Sequence, residues 1–266
     1  MNPQIVLLIP FYNEATATST RTCELLAPIL KENSITKLLV VDDGSNLDSY
    51  NTLQLNVNLI LEDLPFEIVR LKENLGYGGA INFGLRMLIG QDFDWVIIAD
   101  SELSMHSNDI TSIVDVIKHF PESLAVKPSR YLLPGGFDQL LGGRKLLSIL
   151  GRNVARILTL FKISDPTTGF RALNLNYIDI TKRNENGFAS IAEEMHSLIA
   201  ISIKNQIPIV EIPYTYQSRN SNDRKSSFKF SPGLFAKYLK YFVISNFILL
   251  TNRFRLRHLL VLKGNK

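Results

Sequence analysis

Short apolar runs recur along the first half of the chain, each followed by a polar loop and then by a stretch with helical spacing. IVLLI (5–9), KLLVV (37–41), FEIVRL (66–71) and WVIIA (95–99) are nearly continuous in Val, Ile and Leu, the pattern of strands covered on both faces. Helix-compatible segments fall between them at about 15–32, 46–62 and 78–90, the last opened by Gly78 and Gly79. Strand alternating with helix predicts an α/β fold: a mostly parallel central sheet flanked by helices.

Each run ends in a polar, acidic or Gly-rich loop: PFYNE, DDGSN, ENLGYGG and DSELS. In an open α/β sheet the crevice outside the strand C-termini is where ligands bind, so these loops predict a site along one sheet edge. Beyond residue 120 the rhythm loosens. LAVKPS (124–129) reads as a strand, RKLLSILGRNVARILTLF (144–161) as a basic amphipathic helix, DPTTGFRALN (165–174) as a loop entering a strand, and IAEEMHSLIAISIK (191–204) as a helix. IPIVEIPYTY (207–216) reads as one strand kept near an edge or bulge by its prolines, and SRNSNDRKSS (218–227) as a polar loop.

Composition narrows the class. A chain of 266 residues with 45% hydrophobic content can bury a full core. The single cysteine, Cys23, excludes an internal disulfide framework. The apolar peak near the end, YFVISNFILL (241–250), is far shorter than the roughly 20 residues of a spanning helix. A cytoplasmic protein is expected. The net charge of +4 hides an asymmetry: residues 224–266 carry 10 Lys or Arg and no acid, so all 25 acids lie in the body. Aliphatic and aromatic residues interleave with those bases, which predicts a helical tail at 231–266 lying on an anionic membrane surface, in preference to a nucleic-acid arm. A helix packed on the body with a solvated basic side is the plainer alternative.

Candidate chemistry concentrates at the strand ends. Asp100 and Glu102 follow the fourth strand two positions apart, so both can face one pocket. Two carboxylates there repel unless a cation lies between them, and a hard divalent ion is the usual solution; an acidic cap for the helix near Ser107 is the alternative. VVDDGS (40–45) sets acceptors beside a close-approaching backbone, although turn chemistry also favours Asp-Gly. NLGYGGAINFG (74–84) follows the third strand instead of the first, which weakens a nicotinamide reading. His106, His119, His196 and His258 show no zinc spacing, and the phosphate loop G-x-x-x-x-G-K and the elbow G-x-S-x-G are absent.

In order, IPFYNE (9–14), VVDDGS, NLGYGGAINFG, the Asp-x-acid at a strand end and DPTTGFRALN resemble the family 2 glycosyltransferases of GT-A fold, and within them the polyprenyl-phosphate sugar transferases. GFASIAEE (187–194) resembles that group's Gly-Phe…Glu segment and IVEIPYTYQSR (209–219) its Glu-x-Pro…Arg segment. The resemblance spans residues 4 to about 230, leaving 231–266 as the tail. It implies that Pro10, Tyr12, Glu14, Asp42 and Asp43 line a nucleotide pocket bordered by Gly76, Gly79 and Asn82. It further implies that Asp100 and Glu102 hold Mg²⁺ or Mn²⁺ against a sugar-nucleotide diphosphate, with Asp100 and Asp165 serving catalysis. Asp165 is the expected base or acceptor-positioning group, and Arg171, Glu193, Arg219, Arg224 and Lys225 the expected acceptor or phosphate contacts. Here the second metal carboxylate is Glu, one methylene longer than the family's Asp, and the family's Arg-x-x-Gly-x-Ser-Lys stands as RNSNDRKSS.

The activity so implied is transfer of a sugar, with inversion, from a nucleoside diphosphate sugar to a polyprenyl phosphate or lipid-linked acceptor, on the inner face of the membrane. The alternatives are a saccharide acceptor in surface polysaccharide synthesis, and a nucleotide-sugar-binding protein without catalysis.

Overall fold

The computed structural model describes residues 2–32, 35–61, 64–101, 105, 107–137, 152–153, 163–165, 168–178, 189–217 and 261–263. The early apolar runs form the strands Ile5–Phe11 (β1), Lys37–Asp42 (β2), Phe66–Arg70 (β3) and Trp95–Ile98 (β4). Thr16–Lys31 (α1), Leu47–Ile60 (α2) and Gly76–Met87 (α3) connect them, and Ser107–His119 (α4) leads to Ala125–Ser129 (β5). Arg171–Asn174 (β7), Ala189–Asn205 (α5) and Ile209–Pro213 (β8) follow. Gly136–Phe137 (β6) and Thr215–Tyr216 (β9) form a separate two-stranded sheet, and Val261–Lys263 (β10) closes the described chain.

Among the described residues the main sheet has eight strands in the order β10-β8-β5-β7-β4-β1-β2-β3. All pair in parallel except β7, which runs antiparallel between β4 and β5. Two-residue alternation divides the strand side chains between two apolar layers. Ile5, Leu7, Ile9, Val40 and Ile97 pack with residues of α1, α2 and α4. Val6, Leu8, Val41, Val96 and Ile98 pack with residues of α3 and α5. Gly84 shows how closely α3 approaches: a Cβ there would stand 2.5 Å from Leu8 Cδ1.

Three expectations need correction. The helix predicted at 78–90 begins earlier, at Gly76, whose φ of +76° suits a residue without a Cβ. The segment 207–216 is not one strand. It breaks after Pro213, so that β8 lies inside the main sheet between β5 and β10 while β9 joins β6. Within the segment expected as a helical tail, Val261–Lys263 is a strand that pairs in parallel with Ile209–Glu211. The helix expected at 144–161, apart from residues 152–153, and the tail from 231 to 260 lie outside the described residues.

Candidate active site

The C-terminal ends of β1, β2 and β4 are tied to one another by their loops. Asn13, in the left-handed region at φ 49°, receives a 2.8 Å bond at Oδ1 from the Asn46 amide. Its own amide donates to Ser45 Oγ at 2.9 Å. Glu14 accepts a 2.8 Å bond from Ser101 Oγ, and Thr22 Oγ1 donates to the Ser101 carbonyl at 2.6 Å. Ser101, the residue after Asp100, is thus linked to the loop after β1 and to α1, and nothing in its sequence context singles it out. Ala99, on the other side of Asp100, donates its amide to Leu8 O at 3.1 Å. The half-buried Asp100 is therefore anchored through both chain neighbours.

The paired acids of VVDDGS are built into this framework. Asp42 is fully buried, 3.4 Å from Arg70 Nε; burial raises its pKa, against hydrogen bonds from Ser45 and the charge of Arg70. Asp43 Oδ1 accepts from the Leu75 amide at 2.7 Å and so holds the start of α3. Gly44 between the loops has φ +72°, and a Cβ would stand 2.9 Å from the Glu73 carbonyl carbon, so both conformation and space require glycine. Pro10 is buried in β1 beside Val41, and Tyr12 is half-buried just beyond it. Gly76 opens α3 at this edge, whereas Gly79 and Asn82 are buried within the helix.

Beside Asp100 lies a cluster of buried charges. Because β7 runs antiparallel, its first residue meets the last of β4: Arg171 is registered with Ile98. Arg171 is 1% exposed and grips Glu194 of α5 with Nε and Nη2, the latter at 2.7 Å, while Nη1 donates to the Gly169 carbonyl. Burial opposes its charge, but Glu194 and Tyr77 together outweigh it and keep the guanidinium protonated. A Cβ on Gly169 would stand 2.9 Å from Tyr77 Oη and 3.6 Å from Asp100 Oδ1. Tyr77, Asp100 and this loop therefore share one space. Burial, then the charge of Asp100, raises the Tyr77 pKa and keeps the hydroxyl protonated.

Asp165 is fully buried and paired with Arg130, whose Nε and Nη2 donate to its two oxygens at 2.7 and 2.9 Å. Both oxygens of this carboxylate are therefore engaged by one guanidinium. Arg152 stacks its guanidinium 3.8 Å from the Tyr131 ring centroid and donates to Ser164 O at 3.0 Å. Of the expected acceptor contacts, Arg171 is turned inward onto Glu194. Glu193 is described only as backbone in α5, and it is its neighbour Glu194 that enters the cluster. Glu102, Arg219, Arg224 and Lys225 lie outside the described residues. Among the described residues no group of three or more His, Cys, Asp or Glu forms a metal cage. The donor chemistry of the Asp100 carboxylate, an anchored hard oxygen ligand, nevertheless fits Mg²⁺ or Mn²⁺.

Comparison with known proteins agrees with this architecture. The family model described as "Glycosyl transferase family 2" matches residues 6–178. No curated protein matches the sequence. Among solved structures, glucosyl-3-phosphoglycerate synthase from Mycobacterium tuberculosis with Mg²⁺ and UDP superposes with a TM-score of 0.61 at 14% identity, over 93% of this chain and 78% of that one. The same enzyme with Mn²⁺, UDP-glucose and phosphoglyceric acid gives 0.58 at 17%, over 91% and 80%. Mannosyl-3-phosphoglycerate synthase from Rubrobacter xylanophilus gives 0.59 at 14%, over 95% and 75%. The structural likeness establishes the GT-A fold, the family match covers β1 through β7, and the loops it spans converge on Asp100: the chain belongs to glycosyl transferase family 2 and is a nucleotide-sugar glycosyltransferase.

Proposed function

We propose that the enzyme transfers a sugar, with inversion, from a nucleoside diphosphate sugar to an acceptor phosphate of the polyprenyl or lipid-linked class. The observation that carries this reading is the anchored Asp100 carboxylate at the point where the loops of β1 and β4 are tied together. Asp100, with Glu102, would hold Mg²⁺ or Mn²⁺ against the donor diphosphate. The ion, when bound, supplies Lewis-acid stabilisation of the charge growing on the departing nucleoside diphosphate. The loops carrying Tyr12, Glu14 and Gly44 would seat the nucleoside. A phosphate acceptor is already ionised and needs little base catalysis, which accords with an Asp165 held by Arg130 to orient the acceptor side. Phosphoglycerate is the second acceptor class, favoured by the likeness to the two phosphoglycerate-using synthases.

Thermal unfolding with UDP, GDP, dTDP and CDP, each with Mn²⁺ and with chelator, tests the donor half. One nucleotide is expected to raise Tm only with metal, because a ligand bound to the folded state alone stabilises it by mass action. Stabilisation by none of them defeats the reading. The sugar of the stabilising nucleotide is then offered with a short polyprenyl phosphate and with 3-phosphoglycerate; product from the second alone replaces the lipid acceptor. The basic tail is proposed to meet anionic membrane. The full chain should co-sediment with phosphatidylserine vesicles and detach in high salt; absence of binding at low salt removes the membrane from the proposal.

A further inference from the structure

Alternation along the strands sets Lys127 of β5 and Glu211 of β8 on the sheet face that α5 covers, and the two residues are registered with each other across parallel strands. Both are fully buried. They reach opposite ends of the same loop. Glu211 accepts the Ser164 amide at 2.9 Å, the Ser164 hydroxyl at 2.8 Å and the Asp165 amide at 3.4 Å. Lys127 Nζ donates to the Thr168 carbonyl at 3.2 Å. A buried ammonium is costly to keep in an apolar sheet, and a framework role alone is served as well by an aliphatic residue. The loop it holds carries Asp165 at one end and leads through Gly169 to Tyr77 and Asp100 at the other.

We propose that Lys127 is a positioning residue for sugar transfer: with Glu211 it clamps both ends of the Ser164–Thr168 loop and so fixes Asp165 relative to Asp100. The inference rests on the transferase reading for its kinetic consequence, but not for its structural one. The groups facing the ammonium are Arg171 of β7, Glu194 of α5, Asp165 of the loop and Glu211 of β8, with Arg130 behind Asp165 and Tyr77 of α3 behind Arg171. Burial, then the charge of Arg171, lowers the Lys127 pKa to about 8, against Glu194, Asp165 and Glu211. Burial raises that of Glu211. The charge that strengthens the bond to Thr168 is accordingly lost as pH rises through about 8, and the grip weakens. The sign for stability is the reverse. A lysine whose folded pKa lies below its unfolded value carries a penalty that is full below about pH 8 and relieved above it, so loss of activity between pH 8 and 9 would not reflect unfolding through this group.

The test uses the full chain and the double variant K127M/E211Q, which removes one charge of each sign and leaves the Arg171–Glu194 and Arg130–Asp165 pairs balanced. Hydrogen exchange is followed over peptides covering 163–173 and, as reference, 5–11. At least tenfold faster exchange in 163–173 alone is expected, and unchanged exchange there overturns the proposal. Should the double variant fail to fold, Lys127→Met alone, which removes the donor to Thr168, gives the same decision. For turnover, the donor is the sugar nucleotide selected by Mn²⁺-dependent stabilisation, with polyprenyl phosphate or 3-phosphoglycerate as acceptor. The expected result is a kcat at least tenfold lower with donor KM within twofold, and a parental kcat that declines above about pH 8 while Tm holds. A retained kcat, or a change in donor KM alone, overturns positioning. If the parent transfers to neither acceptor, the transferase reading fails, and the exchange result still decides the clamp.

Discussion

Replacing Asp100 with Asn is expected to lower kcat for sugar transfer by about three orders of magnitude while leaving the fold intact. The reasoning starts from the backbone. Ala99 is pinned to β1 by its amide, and Ser101 is held by Glu14 and Thr22, so the carboxylate between them is presented in one place before any ligand arrives. Preorganised groups of this kind need no rearrangement as charge develops on the leaving group. An amide of the same shape is a poor ligand for a hard divalent ion, and losing Lewis-acid stabilisation worth several kcal/mol removes about a factor of ten in rate for each 1.4 kcal/mol. Stability should hardly change, because Asp100 lies half-buried beyond the end of β4; Tm without ligand is expected within about 2 °C of the parent. The Mn²⁺ dependence of nucleotide stabilisation should vanish with activity. An Asn variant that kept that dependence would place the metal on other residues.

The strands, the first three helices and the converging loops are legible in the sequence because they rest on local pattern. Buried parallel strands read as apolar runs, and polar loops at their ends follow from the site they build. The charge cluster is not legible for an equally physical reason. AVKPS sets Lys127 and Ser129 at alternate positions and IVEIP carries the single polar residue Glu211, a pattern compatible with a strand that has one solvated face. Their polar face is instead met by Ser164 and Thr168 and lies on the side of α5, and only tertiary structure shows that Lys127 and Glu211 are buried. Glu194 carried a local signal: it shares a helical stripe with Leu198 and Ser202, both buried, at four-residue spacing. The resemblance pointed to Glu193, one position away. The reversed direction of β7 also lies beyond local pattern, since RALN is compatible with either pairing, yet it is this reversal that brings Arg171 to the edge occupied by Asp100. Tyr77 stands among glycines with no local signal of its own, and only the fold brings its hydroxyl to the space shared with Asp100 and Gly169.

Removing Arg171 is expected to be the most destabilising single change in this cluster. The Arg171 and Glu194 side chains are 1% and 2% exposed, so neither charge is solvated, and each depends on the other. Breaking a buried pair from one side typically costs 3–5 kcal/mol because the survivor is left uncompensated. In Arg171→Met the nearby Lys127, relieved of its repulsion from Arg171, takes over part of the neutralisation of Glu194, which places the expected loss near the lower end, about 3 kcal/mol by urea denaturation. The loss should depend on pH with a definite sign. An uncompensated Glu194 has its folded pKa raised above the unfolded value, so the folded state binds the extra proton and the variant regains stability as pH falls. The deficit relative to the parent is therefore expected to shrink between pH 8 and pH 5. Arg171→Met/Glu194→Gln, which discards the survivor's charge, should recover most of the stability at pH 8. A deficit that stays constant with pH, or a double variant no better than the single one, would mean that Arg171 stabilises the fold through its packing and its bond to Gly169 rather than through the charge of Glu194.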